Sequence, residues 1–153
     1  MIIMTDIFDT EIIHTTIIKS SIEKVFDALT TAEGLDSWFT RGAKVDRKVG
    51  GEIHFRWGID RSNITGGIIE DGGPILEVDI PNSFKFQWYP DNPSYATNVH
   101  LKFEEDVQGT KVTVKEYGFK NTPEGRKALL GCATGWGEAL TLVKFFLEHN
   151  VAS

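Results

Sequence analysis

The strongest constraint on the fold is a change in the spacing of the hydrophobic residues. Between residues 50 and 114, apolar and polar side chains alternate along several short segments that are separated by turn residues. Such alternation predicts strands with one buried face, as in an antiparallel sheet covered on one side only. We expect about six or seven strands. The side chains predicted to face inward are Ile53, Phe55, Trp57, Leu76, Val78, Ile80, Phe84, Phe86, Trp88, Val99, Leu101, Phe103, Val112 and Val114.

Beyond residue 120 the hydrophobic spacing becomes helical. Thr122 suits an N-cap and Pro123 suits the first helical position, which predicts a helix over roughly residues 123–148. Its apolar stripe comprises Leu129, Cys132, Trp136, Leu140, Val143 and Leu147, flanked by the small residues Ala128, Gly135 and Ala139. Its opposite, polar arc comprises Arg126, Thr141, Lys144 and Glu148. This helix would cover the sheet, so the predicted fold class is α+β.

The N-terminal part predicts an extended segment, EIIHTTIIK, followed by two short helices. Ser20 and Glu23 have the spacing of a capping box, and apolar residues then recur at helical intervals. Gly34 is expected to end this first helix. A second brief turn would present Trp38 and Phe39. Residues 1–9 are expected to be a loose segment of what is otherwise a single domain over residues 1–153.

The overall charge limits the classes of partner. The chain of 153 residues has 16 Lys and Arg against 22 Asp and Glu, a net charge of −6, and it contains no basic run. Nucleic acid is therefore an unfavourable partner. The N-terminus has no positively charged region and no long apolar stretch, so neither a signal peptide nor a membrane span is indicated, and we expect a cytoplasmic protein.

No set of residues indicates a metal centre or a cofactor. Cys132 is the single cysteine, which excludes an internal disulfide and a multi-cysteine metal site. The segment GGIIEDGG resembles a phosphate loop but lacks the Lys-Ser/Thr ending, so a hairpin or bulge is the better interpretation. Four scattered histidines are expected on a solvated surface: His14, His54, His100 and His149.

Glu116 is the one residue that breaks the strand pattern. Counting in twos from Val112 and Val114 places it on the inner face, next to Tyr117, where an unpaired carboxylate is costly to bury. It could anchor a ligand or act as an acid or base. Alternatively, the strand ends or bulges here, and Glu116 turns toward water.

Three glycines stand within two turns of the C-terminal helix. Each of Gly131, Gly135 and Gly137 costs roughly 0.5–1 kcal/mol relative to alanine in a helix interior, so a compensating gain is implied. Either the helix backbone packs closely against its neighbours, or the small residues leave a cavity beneath the helix around Trp136.

Several motifs together resemble a known family. VFDALTTAEGLDSWF, KVGGEIHFRW, QGTKVTV and the GW of GWGEALTLVKFFLEH are similar to proteins related to the C-terminal domain of the activator of heat-shock protein 90 ATPase. The order of elements resembles the helix-grip fold of the START-like superfamily, to which the birch pollen allergen belongs. The resemblance covers nearly the whole chain.

The resemblance implies a hollow between the long helix and the concave sheet face, one that commonly takes apolar ligands. It favours the cavity interpretation of the glycines and implies binding of a hydrophobic, aromatic small molecule without chemistry. Two alternatives remain. One is a protein-interaction module that binds a chaperone or self-associates, although we expect no room in 153 residues for the activator's separate N-terminal domain. The other is a cyclase-like or condensing enzyme using Glu116. The implied binding residues are Trp38, Phe39, Phe55, Trp57, Phe86, Trp88, Glu116, Tyr117, Leu129, Cys132, Trp136 and Leu140.

Overall fold

The computed structural model describes residues 7–59, 68–91 and 95–150. These residues form one antiparallel sheet in the order β1-β7-β6-β5-β4-β3-β2, together with three helices. The predicted α+β helix-grip architecture, with a long C-terminal helix, is thereby confirmed. The elements are β1 Ile12–Ile18, α1 Ile22–Thr30, α2 Ala32–Trp38, β2 Lys44–Val45, β3 Glu52–Ile59, β4 Ile68–Asp79, β5 Ser83–Trp88, β6 Thr97–Asp106, β7 Gly109–Tyr117 and α3 Pro123–His149.

The predicted alternation holds in β5, β6 and β7 and fails in β4. In β5, β6 and β7 every residue predicted to face inward is buried. In β4, however, Ile75 is buried and Leu76 is exposed, although Val78 packs half-buried against the core as predicted. Ile80, also predicted to face inward, is exposed and lies beyond the end of the strand. The pairing register between β4 and β5 shifts between Ile75 and Glu77. Leu76 lies within this irregularity, where the alternation is interrupted, and Ile80 follows the end of the strand, so the prediction was wrong for both.

The first two helices are capped differently from the sequence prediction. The N-cap of α1 is Ser21, whose hydroxyl accepts from the Lys24 backbone N–H at 3.4 Å, so the capping box at Ser20 was wrong. Thr31 separates the helices and caps α2. Gly34 does not end α1, because it lies within α2, where a Cβ would come 2.1 Å from the Asp27 carbonyl oxygen. This glycine therefore permits close approach of the two helices.

The long helix α3 begins and ends as its sequence predicts. Thr122 accepts a hydrogen bond from the Gly125 N–H at 2.9 Å, and the helix runs to His149. Its polar arc is not wholly in solvent: Lys144 donates to the Ile17 carbonyl of β1 and pairs with Glu148 at 2.8 Å. Among the residues described, no helix is long and apolar enough to cross a membrane.

Part of the expected loose N-terminus is attached to the domain. Residues 1–6 lie outside the described residues. Ile7 forms an antiparallel bridge with Lys120, and the Phe8 N–H donates to the Phe119 carbonyl at 2.8 Å. The prediction was therefore wrong for Ile7 and Phe8, whose backbone extends the pairing beyond β7.

Candidate functional site

A cavity of about 500 Å³ lies between α3 and the end of the sheet formed by β3, β4 and β5. Its volume is within the range of small-molecule sites, roughly 300–1,000 Å³. Most of its wall is apolar or aromatic. The described residues that line it are Phe39, Trp57, Ile69, Asp71, Trp88, Pro90, Gly131, Cys132, Gly135, Trp136, Glu138, Ala139 and Leu142.

The glycines of α3 leave space for this cavity. A Cβ added at Gly131 or Gly135 would meet no atom within 4 Å, and both residues border the cavity. A Cβ at Gly137 would lie 3.5 Å from the His14 ring, an ordinary van der Waals distance. Close backbone packing therefore does not explain the three glycines. The His14 ring faces α3 and hydrogen-bonds to the Ala133 carbonyl at 2.8 Å, so its predicted solvated position was wrong.

Three indoles form a continuous part of the cavity wall. The rings of Trp88 and Trp136 are 5.4 Å apart between centroids, and those of Trp57 and Trp88 are 6.3 Å apart. Phe39 meets Trp57 edge to face at 5.5 Å. Behind this wall, Phe55 stacks nearly parallel on Trp57, also at 5.5 Å. Such ring contacts hold the aromatic surface in one arrangement.

Glu116 accepts hydrogen bonds from two of these indoles, Trp88 and Trp136, on the side of the wall away from the cavity. Its side chain has 0% exposure. Oε2 accepts from Trp88 Nε1 at 2.7 Å and from Thr97 Oγ1 at 2.6 Å, and Oε1 accepts from Trp136 Nε1 at 2.8 Å. The alternative in which Glu116 turns toward water was wrong, because β7 continues through this position.

These contacts define what Glu116 does chemically. Both oxygens receive protein donors and neither reaches the cavity, so Glu116 positions the indoles. No specific observation therefore favours the catalytic alternative. Burial raises the pKa of this carboxyl, and the hydrogen bonds from Thr97, Trp88, Trp136 and Cys132 partly oppose that rise.

Comparison with known families identifies the relationship. The family described as "Activator of Hsp90 ATPase homolog 1-like protein" matches residues 19–148. The chain belongs to this family. The match confirms the resemblance read from the motifs and extends from α1 to the last turn of α3. A comparison with curated proteins gave no match.

Solved structures show the same fold. The Aha1 dimer from Colwellia psychrerythraea is 23% identical, with a TM-score of 0.72 over 92% of this chain and 97% of that chain. A protein from Staphylococcus saprophyticus is 24% identical, with a TM-score of 0.71 over 94% and 96%. A protein from Chromobacterium violaceum is 16% identical, with a TM-score of 0.73 over 90% and 97%. Identities this low support the shared architecture alone.

Of the twelve residues that the resemblance implies as ligand-binding in this Hsp90 ATPase activator homolog 1-like protein, five line the cavity and seven do not. Those that line it are Phe39, Trp57, Trp88, Cys132 and Trp136. Of the seven that do not, five belong to the hydrophobic core, where they are buried or half-buried: Trp38, Phe55, Phe86, Leu129 and Leu140. Glu116 lies behind the wall. Tyr117 is exposed on the opposite face of β7, because adjacent strand residues point to opposite sides, so its assignment to the cavity was wrong.

Several lining residues were missed by the sequence prediction, and Asp71 is the most informative. It lies in GGIIEDGG, whose first two residues, 66–67, are outside the described residues. The remainder begins β4, the second strand of the antiparallel β3–β4 pair, and faces a register irregularity between Arg56 and Ile59, in line with the predicted hairpin or bulge. Counting back in twos from the buried Ile75 places Asp71 on the inner face. The other missed residues are Ile69, Pro90, Glu138 and Leu142.

The buried carboxylate makes a pH-dependent contribution to stability. Because the folded pKa of Glu116 is raised, the folded state binds more protons than the unfolded state above about pH 4.5, the ordinary value for glutamate. The contribution is therefore fully present below that pH and is lost as the pH rises through the folded pKa. We expect the unfolding free energy of the wild type to fall relative to that of Glu116→Gln as the pH rises from about 4.5 through the raised folded pKa.

Urea denaturation of both proteins across this pH range measures the effect. The constant part of the difference between them reports the altered hydrogen bonds, and only its change with pH reports the titration of Glu116. A difference that stays constant with pH would show that burial does not raise this pKa.

Proposed function

We propose that the cavity binds a hydrophobic, aromatic small molecule, and that the protein acts as a carrier or sensor without transforming it. The observation that carries this proposal is the open space beside Gly131 and Gly135 on α3, opposite a wall of indoles. Gly131 and Gly135 are exposed, so this space opens to solvent and a ligand can enter it beside the helix.

The shape of the wall favours a flat ligand. Trp57, Trp88 and Trp136 offer ring faces and edges on one side, and small α3 residues leave room on the other. Offset stacking adds about 0.5–1.5 kcal/mol per aromatic pair beyond the area buried. Two or three such contacts, together with burial of the ligand, support a dissociation constant on the order of micromolar.

Gly135→Leu is the variant that tests the cavity directly. The new side chain would extend into the space that the ligand needs, so binding should weaken. The unfolding free energy should stay the same or rise by up to about 1 kcal/mol, because glycine is the poorer helix former. Binding is measured by chemical-shift or Trp fluorescence titration with a panel of flavonoid-like and lipid-like compounds, and stability by urea denaturation.

The matched control is Thr141→Leu, which adds a leucine on the exposed arc of the same helix. It should leave binding unchanged. If no compound saturates the wild type, the proposed function is wrong. If Gly135→Leu unfolds the protein, the site is already close-packed and the cavity interpretation is wrong.

A second candidate is protein interaction through the outer side of α3. Leu130 is 66% exposed and Phe145 is 52% exposed, so two large apolar side chains of this helix are available for contact. The similar structure from Colwellia psychrerythraea is described as a dimer. Sedimentation of the wild type and Phe145→Ser, alongside a chaperone ATPase assay, tests self-association and chaperone binding separately. A monomer without effect on the ATPase would exclude both.

A further inference from the structure

Two carboxylates face the aromatic cavity without a cationic partner in its wall. Asp71 enters from β4 and Glu138 from α3. The described lining residues include no lysine or arginine. The cavity therefore combines indole faces, which attract positive charge, with formal negative charge.

The position of Asp71 is fixed by the backbone. Its Oδ1 accepts from the Gly72 N–H at 2.7 Å and from the Tyr89 N–H at 2.9 Å. In the β3–β4 pairing it lies opposite Phe55, which stacks on Trp57. Burial raises the pKa of Asp71, and the two backbone donors oppose that rise by stabilising the charged form. The carboxylate is thus held beside the aromatic wall.

The pKa of the Cys132 thiol depends on burial and on the carboxylates near this part of the cavity wall. Burial is the main cause that raises the pKa of its thiol, and the negative charges of Glu116 and Asp71 raise it further. Burial disfavours a charge of either sign here, and a nearby carboxylate such as that of Asp71 adds a further penalty for an anion that a cation does not meet.

We propose that the ligand is an aromatic organic cation, either a quaternary ammonium compound or a protonated amine. The proposal rests on the proposed function of the cavity and names the chemical class of its ligand. Indole faces bind such cations through the ring quadrupole, and the contact strengthens when water is excluded. Asp71 balances the charge from β4, and Glu138 balances it from α3.

Three probes of matched shape separate charge from size. Naphthyltrimethylammonium is the cation, tert-butylnaphthalene its neutral isostere and naphthalenesulfonate the anion. We expect the cation to bind about tenfold more tightly than the neutral isostere, a difference of about 1.4 kcal/mol. Asp71→Asn and Glu138→Gln should each reduce this ratio about threefold, as partly screened charges do. Chemical-shift titration measures all three probes against each protein.

The control is Glu105→Gln, which changes the net charge equally at an exposed residue of β6, roughly 26 Å along the strand from Thr97. It should leave the ratio unchanged. Equal or tighter binding of the neutral or anionic probe, or a ratio unchanged in both cavity variants, would overturn the inference while leaving the proposed function intact. If none of the probes binds, the inference is wrong, and the titration of the wild type with the flavonoid-like and lipid-like panel decides the proposed function separately. Should Asp71→Asn not fold, Glu138→Gln at its exposed position decides the test.

Discussion

Trp136→Ala is expected to lower the unfolding free energy by about 3–5 kcal/mol, the usual cost of removing a large buried aromatic side chain. Trp136 is only 4% exposed, and its indole lies against that of Trp88. Its Nε1 also donates to Glu116, so the variant leaves a buried carboxylate oxygen without this donor. Chemical denaturation monitored by circular dichroism measures the loss.

Trp57→Ala is the matched control for this prediction. Trp57 also lines the cavity but is only half-buried, so its removal should cost less. An unchanged denaturation midpoint in Trp136→Ala would show that the Trp136 side chain faces solvent and that the helix is rotated from the described position.

Glu116→Leu is expected to destabilise the protein by several kcal/mol although the side chains are similar in size. It removes the acceptor for three buried donors: Trp88 Nε1, Thr97 Oγ1 and Trp136 Nε1. Each donor left unsatisfied costs about 1–3 kcal/mol. The indoles should also lose their fixed orientation, which is read from the two indole N–H signals in NMR spectra.

Glu116→Gln is the conservative comparison, because the amide oxygen still accepts from two donors on one side. It should therefore lose less stability than Glu116→Leu and keep one shifted indole signal. A leucine variant as stable as the wild type would mean that the buried carboxylate is dispensable and that ring packing alone orients the two indoles.

Much of the fold was predictable because periodicity is a local property. Burial on one face requires alternating residues in a strand and a spacing of 3.6 in a helix, so β5, β6, β7 and α3 were found at their correct places. Prediction failed at Leu76 in β4, which lies in the register shift between Ile75 and Glu77. A bulge depends on the partner strand, which the local pattern does not contain.

The elements that form the candidate site were predictable from the sequence, but the individual residues that line it were not. The sequence by itself determined that α3 has a small-residue flank around Trp136, that aromatic residues alternate on the inner strand faces, and that Glu116 falls in phase with Val112 and Val114. Each follows from spacing along one element. Family membership was also readable at this level, since its motifs are contiguous.

Only the tertiary structure decided which of these residues meet. Phe39 reaches the cavity while its neighbour Trp38 packs into the core and donates to the Ala28 carbonyl at 2.8 Å. Asp71 joins the wall because the Tyr89 backbone lies close enough to hold it. Glu116 is tolerated inside because β5, β6 and α3 each bring it a donor. Such contacts join residues distant in sequence, so their geometry arises from the packing of whole elements and not from any local pattern.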